Sequence, residues 1–300
     1  CQDWGGTLRS RATTRSGGPP RNSTGNCGPN ATAGSSRPLA ITPPSSGTAL
    51  LPGLLLATVQ IVGYDTSGPG LLVSHADAGA DNGSTSPTEV EFVSLEPGTE
   101  LDYALGDRHC AGAVSDSGHI PCPESAAPQC PQHRSTWVCA KCTGTCLKDE
   151  MDCVESHVVY LAAFAPDTFK VGVTKEWRLE TRLREQGADR GARLTTVPDG
   201  RIARRREAAI AESIPDRVRV PRKRAGVHRS VDADAWATLL SSFDVADGDR
   251  FTFEYGLDLR DRPVAETIAA GTVQGVKGRL LVVDRAGTTY AVDMRDLVGH

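Results

Sequence analysis

HVVYLAAFAPDTFKVGVTKEWRLETRLREQGADRGARLTTVPDGRIARRREAAIAES, residues 157–213, carries the clearest structural signal in the chain. Residues 158–164 form a continuous apolar run rich in β-formers, which reads as a buried strand. Ala165, Pro166 and Asp167 supply turn residues, and residues 169–173 make a second strand, so the pair reads as a hairpin. From Trp177 the period turns helical, with Leu179 and Leu183 four apart and Gly187 where a C-cap glycine belongs. A third strand fits residues 193–197. A second helix fits 202–214, where Ile202, Ala209, Ile210 and Ser213 share one side. The expectation is a compact α+β unit.

Charge is distributed unevenly around that unit. Residues 1–53 carry net +4, residues 54–156 net −11, residues 157–224 net +7 and residues 225–300 net −4. A basic module between acidic ones implies a polyanion partner, with nucleic acid foremost. Arginines on solvated helix faces are the plain alternative. Residues 1–52 are rich in Gly, Pro, Ser, Thr and Arg and are expected to be disordered, or to lie upstream of a native start near residues 55–59. No apolar run reaches the ~18 residues of a membrane span, and no secretory signal opens the chain, so a cytoplasmic protein with no membrane partner is expected. Short strands fit 57–64, 70–74 and 89–94, with a solvated loop over 75–88; together they make a small β segment over 55–104.

Seven of nine cysteines fall between Cys110 and Cys153. In a cytoplasmic chain such density favours metal thiolates, with zinc as the default ion for short-spaced Cys/His ligands. Cys139-Ala-Lys-Cys142 followed by Cys146 and Cys153 makes one four-thiolate set. Cys110, Cys122, Cys130 and His133, the last two from the pair CPQH, complete a second, so residues 105–156 are expected to hold one or two structural zinc ions. Disulfides in a secreted protein and a redox Cys-x-x-Cys are the competing readings; the strand and long helix that a redox motif needs are missing around Cys139.

Val158-Val159-Tyr160, then Lys170-Val171-Gly172, an arginine on the next helix and a glutamate on the one after, resemble the GIY-YIG nuclease domain over roughly sixty residues. The strings KVGVT, RLETRLREQGA and DMRDLVG are also similar to an uncharacterised conserved family, domain of unknown function twenty-seven ninety-seven, in the form seen in halophilic archaea. The first resemblance implies metal-assisted phosphodiester hydrolysis. It places Tyr160 as the tyrosine that helps activate water, Arg182 against phosphate charge with Arg178 as a rival, and Glu207 as the carboxylate holding Mg²⁺ or Mn²⁺. Lys170 stands where that family has its second tyrosine, and is carried as a candidate catalytic residue. Such hydrolysis needs a base, a cation and a hard metal held by oxygen. Each residue also has a structural reading: Tyr160 packing in a strand, Arg182 solvated, Glu207 pairing with neighbouring arginines.

Lys175, Arg178, Arg204, Arg205, Arg222 and Lys223 are expected to contact phosphates whether or not catalysis occurs. After a basic linker at 221–229, Asp232 is a good N-cap for a helix over 233–242. Strands at 251–255, 266–274, 279–284 and 288–293 then suggest a helix plus β-rich module over 225–300, suited to a structural role or a protein partner. The functional expectation is a zinc-containing nucleic-acid-binding protein with a GIY-YIG-like domain over 157–224, cleaving or only binding its substrate; an interaction scaffold is the third reading.

Overall fold

A computed structural model describes residues 58–76, 87–135, 139 and 142–300. The segment 1–52 and most of the expected loop at 75–88 lie outside the described residues. In chain order, β1 (Thr58–Asp65), β2 (Gly70–Ala76) and β3 (Val90–Ser94) form an antiparallel meander, followed by β4 (Glu100–Tyr103) and a small hairpin of β5 (Ala113–Ser115) and β6 (Gly118–Ile120). The central unit comprises β7 (His157–Phe164), β8 (Thr168–Lys175), a 3₁₀ turn Glu176–Arg178, α1 (Leu179–Glu185), β9 (Arg190–Val197) and α2 (Gly200–Ala211). After it come α3 (Val220–Gly226), α4 (Ala233–Leu240), β10 (Arg250–Thr252), β11 (Val264–Ala265), β12 (Ala269–Lys277), β13 (Leu280–Arg285), β14 (Thr288–Asp293) and α5 (Met294–Leu297). The class is mixed α+β, as the sequence implies.

The central sheet runs β10-β9-β7-β8, antiparallel throughout. Nearly every residue of β7 is buried because both of its faces are covered. Val159, Leu161 and Ala163 point to a core shared with α2 and α4, while Val158, Tyr160, Ala162 and Phe164 point to one shared with α1. That two-sided burial is why the strand reads as an unbroken apolar run instead of an alternation. Asp199 starts α2 by accepting from the Ile202 amide at 2.8 Å. Gly187 takes φ +69 and ends the turn after α1, the left-handed conformation a C-cap glycine supplies.

Three features differ from the sequence expectations. The basic linker contains α3, because Pro221 sits in the first turn, where its missing amide costs nothing. Gly226 lets that helix dock on the β7–β8 turn, since a Cβ there would meet the Ala165 carbonyl oxygen at 1.7 Å. The strand expected at 251–255 as part of the C-terminal module is β10, which pairs with β9 and extends the central sheet. Trp236 and Leu240 of α4 likewise pack on the central core.

The C-terminal sheet, ordered β11-β14-β13-β12-β4, takes its edge strand β4 from the other end of the chain. Its core, including Leu281, Val283, Val292 and Met294, is continuous with Ile61, Leu71 and Val73 of the first meander. Backbone bonds from the Ile61 amide to the His300 carbonyl (2.7 Å) and from the Gly299 amide to the Ile61 carbonyl (2.8 Å) tie β1 to the last residues. The two β segments thus form one body beside the central sheet.

Trp236 is 5 % exposed and meets the Phe169 ring at 5.7 Å. Trp236→Ala is expected to cost about 3–5 kcal/mol in chemical denaturation, through lost burial and the cavity left behind.

Candidate functional site

The cysteine-rich segment gathers one ligand set. The ligand atoms of Cys110, Cys122, Cys130 and His133 all lie within 4.8 Å of one another, with the three cysteines buried. His133 Nδ1 is 3.3 Å from Cys110 Sγ and 3.4 Å from Cys130 Sγ. Tetrahedral zinc with Zn–S of about 2.3 Å and Zn–N of about 2.0 Å puts N and S roughly 3.5 Å apart, so the cage fits a Cys₃His ion. Second-sphere donors are also in place: the amides of Gly112 and Cys130 donate to Cys110 Sγ at 3.4 and 3.2 Å. Burial pushes the Cys122 thiol up. Burial also opposes ionisation of Cys130, but the amides of His133 and Gln132 and the neighbouring thiols outweigh it and bring that thiol down.

The turn that closes the cage is local, with the His133 and Arg134 amides both donating to the Cys130 carbonyl. Its other wall is anchored by Gln60 of β1, which donates to the carbonyls of Cys110 and Gly299. His119 is not a ligand. It is a satisfied core histidine, bonded to Ser74 Oγ at 2.8 Å and the Ala111 carbonyl at 2.9 Å, and burial lowers its pKa.

Cys139, Cys142, Cys146 and Cys153 are not brought together in this way; among the described residues, the Cys110 quartet alone assembles three or more ligand atoms. The two ends of that segment are pinned to different places on α2. The Cys153 carbonyl accepts from the Gly200 amide at 2.8 Å, and Cys153 packs so closely that a Cβ at Gly200 would meet its Cβ at 2.9 Å. Gly144, beside Cys142, lies against Arg205, five residues along the helix.

Of the residues expected to act on phosphate, Tyr160, Lys170 and Arg182 influence one another electrostatically near the β8 edge of the central sheet, whereas Glu207 lines a different cavity from Arg182. Tyr160 pairs with Gly172 across the β7–β8 ladder, and its side chain crosses over that glycine, where a Cβ would stand 2.5 Å from the hydroxyl. Gln186 donates to the phenol oxygen at 2.6 Å. Burial raises the Tyr160 pKa, Arg182 opposes the rise and Glu207 adds to it, so both side chains are within electrostatic reach. Lys170, on the same sheet face by register, is brought down to about 8, first by burial and then by Arg182, with Glu207 and Asp216 acting against the drop. Because β8 is the sheet edge, α1 and α2 present side chains to it from opposite faces. Glu207 is bound by Arg204 at 2.7 Å and borders a cavity of about 390 Å³ with Arg204, Asp216 and Arg217.

The expected phosphate contacts divide. Lys175 pairs with Glu155, Arg178 with Glu185 and Arg222 with Asp167. Such partly exposed pairs are worth no more than about 1 kcal/mol and exchange readily for another anion. Arg205 is exposed beside Gly144. Lys223 differs, with its ammonium donating to the Gln186 carbonyl at 2.7 Å and lying 4.2 Å from the Phe164 ring centroid. Burial, then the charges of Lys170, Arg279, Arg182 and Lys277, bring it down to about 7. Sequence reasoning missed Lys277 and Arg279, which reach this neighbourhood from the C-terminal sheet. The available signal was a lysine at an inward strand position, immediately before the turn glycine Gly278.

Residues 120–300 match the family model described as Protein of unknown function (DUF2797). The chain belongs to this family. The matched segment holds Cys122, Cys130 and His133 together with the whole β8-edge cluster, whereas Cys110 precedes it. No curated protein and no solved structure matches the chain.

Two predictions follow from these sites. Cys122→Ala or a strong chelator is expected to unfold residues 105–135 selectively, seen as new proteolytic cleavage there while the central domain stays protected. Burial and neighbouring cations bring Lys170 down to about 8 and Lys223 to about 7 from the ordinary lysine value of 10.5, so the unfolded chain binds more protons between those limits. Stability should therefore rise as pH climbs from about 7 towards 10. Above the ordinary tyrosine range the raised pKa values of Tyr64, Tyr160 and Tyr255 reverse the slope, because the unfolded phenols ionise first. Lys223→Met should flatten the rise in urea titrations at pH 7 and pH 9.

Proposed function

We propose that this chain is a zinc-containing protein that grips the phosphate backbone of nucleic acid at the β8 edge of its central domain, and that this domain is GIY-YIG-like. The observation that supports it is the gathering of Lys170, Arg182 and Lys223 around a buried phenol: both lysines are depressed by burial and by neighbouring cations. Cations crowded together against solvation energy are expected where an anion is to be received. Lys175, Arg178, Arg204, Arg205 and Arg222 extend the basic surface, and most exchange a carboxylate for phosphate on binding. The bound zinc would hold the Cys110–His133 loop in shape; it has no step in substrate binding.

A second reading, cleavage, is favoured by Glu207, a largely buried carboxylate in the same electrostatic cluster. Mg²⁺ or Mn²⁺ would be held there by one carboxylate, waters and the substrate phosphate. In that reading the proton acceptor is Lys170 and not Tyr160, since the phenol is fully buried, raised in pKa and bound by Gln186. A lysine near pKa 8 carries a useful neutral fraction at neutral pH.

Fluorescence anisotropy on a labelled duplex across a KCl series tests the first reading. About four phosphate contacts give a slope of log affinity against log salt of roughly −3 to −4, and Arg182→Met or Lys170→Met lowers its magnitude by about 1. A salt-independent affinity, or none, rejects it. Mg²⁺-dependent plasmid nicking that is lost in both Glu207→Gln and Lys170→Met would establish the second; nicking unaffected by either would reject it.

A further inference from the structure

Between α1, the segment 218–223 and the β12–β13 turn lies a cleft of about 620 Å³, lined by Arg182, Arg219, Lys223, Lys277 and Arg279, with Tyr64 of β1 contributing to its wall. The carboxylates nearby are already engaged. Glu185 serves both Arg178 (2.9 Å) and Arg182 (3.1 Å), Asp189 holds Lys277 at 2.5 Å, and Asp293 holds Arg279 at 2.7 Å. Among the described residues Lys223 meets no carboxylate, only the Gln186 carbonyl and the Phe164 ring. The Arg219 side chain has no hydrogen-bond or ion-pair partner among the described residues. Arg279 faces Asp293 with two nitrogens, Nη2 donating to Oδ2 at 2.8 Å and Nε 2.7 Å from Oδ1.

Five cations from the central domain and the β body therefore face one space with too few anions to match them. Among the described residues Arg219 and Lys223 are the two without a carboxylate; a monocarboxylate would answer one of them, whereas a phosphoryl group offers up to two charges and the oxygen geometry that arginine forks engage. The volume suits a nucleotide-sized ligand, and the half-buried Tyr64 ring supplies an aromatic wall. We propose that this cleft is a phosphate-ester site between the central domain and the β body, with Lys223 and Arg279 as its inner anchors. Arg182 also belongs to the nucleic-acid face, but the site formed by Lys223, Arg219, Lys277 and Arg279 stands without that reading.

Binding should be coupled to proton uptake. Lys223 is held near 7 by burial and by Lys170, Arg279, Arg182 and Lys277, so at pH 8 it is mostly neutral and a bound anion draws a proton onto it. The acids lining the cleft, Glu185 and Asp293, are committed to arginines and do not substitute for the ligand.

Isothermal titration of the full chain at pH 8, in two buffers of different ionisation enthalpy, tests the site with inorganic pyrophosphate as probe. Pyrophosphate is expected to bind with proton uptake. Lys223→Met, which keeps an apolar stem over Phe164, should weaken binding at least tenfold and abolish the uptake, and Arg219→Met, at an exposed position that cannot unfold the chain, should weaken it severalfold. Matched trinucleotides with 5′-phosphate and 5′-hydroxyl ends distinguish sources: preference for the phosphorylated end points to a strand terminus, and equal weakness points to a free phosphorylated small molecule. Pyrophosphate binding that persists when duplex binding is absent would leave this site standing and remove the nucleic-acid reading. Absence of pyrophosphate binding, or binding unchanged in both variants, overturns the proposal.

Discussion

A strand buried on both faces has to find a side chain for every position that can live without water, and after the half-buried His157 β7 meets that demand with six apolar residues and one tyrosine. The constraint spreads outward from there. Two-sided burial requires α1 over one face and α2 with α4 over the other, and these helices bring Arg182, Gln186 and Glu207 to the neighbouring edge strand. The exception, Tyr160, keeps its hydroxyl satisfied only because Gly172 leaves room for it and Gln186 donates to it. An unpaired phenol in that place would cost about 1–3 kcal/mol. The chemistry at the edge is thus a by-product of how the core closes.

The cysteine loop answers a different constraint. Between β4 and β7 the chain has little apolar material: Cys110, Cys122 and Cys130 form a buried cluster of their own, with no large aliphatic side chain in it. Three thiols and an imidazole gathered where they could hold one ion stand in place of that missing core, and their cage is anchored through Gln60 and Gly299 to the β body. The second half of the segment is held without a cage, by packing of Cys153 and Gly144 on α2.

How much of this was legible follows from how local each signal is. Residues 157–211 could be read in order because period-two and period-3.6 patterns, Asp199, Gly187 and the 165–167 turn are all near-neighbour features. The quartet Cys110, Cys122, Cys130 and His133 could be grouped from ligand chemistry and the short CPQH spacing. Pairings that join distant segments left no local trace. β10 on β9, β4 on β12 and β1 against the last residues appear only when the chain is folded. The four later cysteines misled for the same reason: four thiols in fifteen residues look like a cage, but the fold does not bring their sulfurs together among the described residues. Lys277 and Arg279 were invisible as site residues because what makes them one is the approach of a different sheet.

That approach carries an energetic argument about what the fold is for. Burying Lys170 and Lys223 beside other cations disfavours the charged state, which lowers the pKa of each. Apolar residues of similar length would fill the same space over Phe164 and beside Gly172 with no such cost, so packing alone gives no reason for lysine at either position. Both lysines lie near Arg182, and each feels it. A fold that sets Lys170 and Lys223 among other cations at one edge and one adjoining cleft, instead of leaving them in water, places a positive field where an anion can enter. The β body contributes to that field as directly as the central domain does, because Arg279 and Lys277 face Lys223 across the cleft.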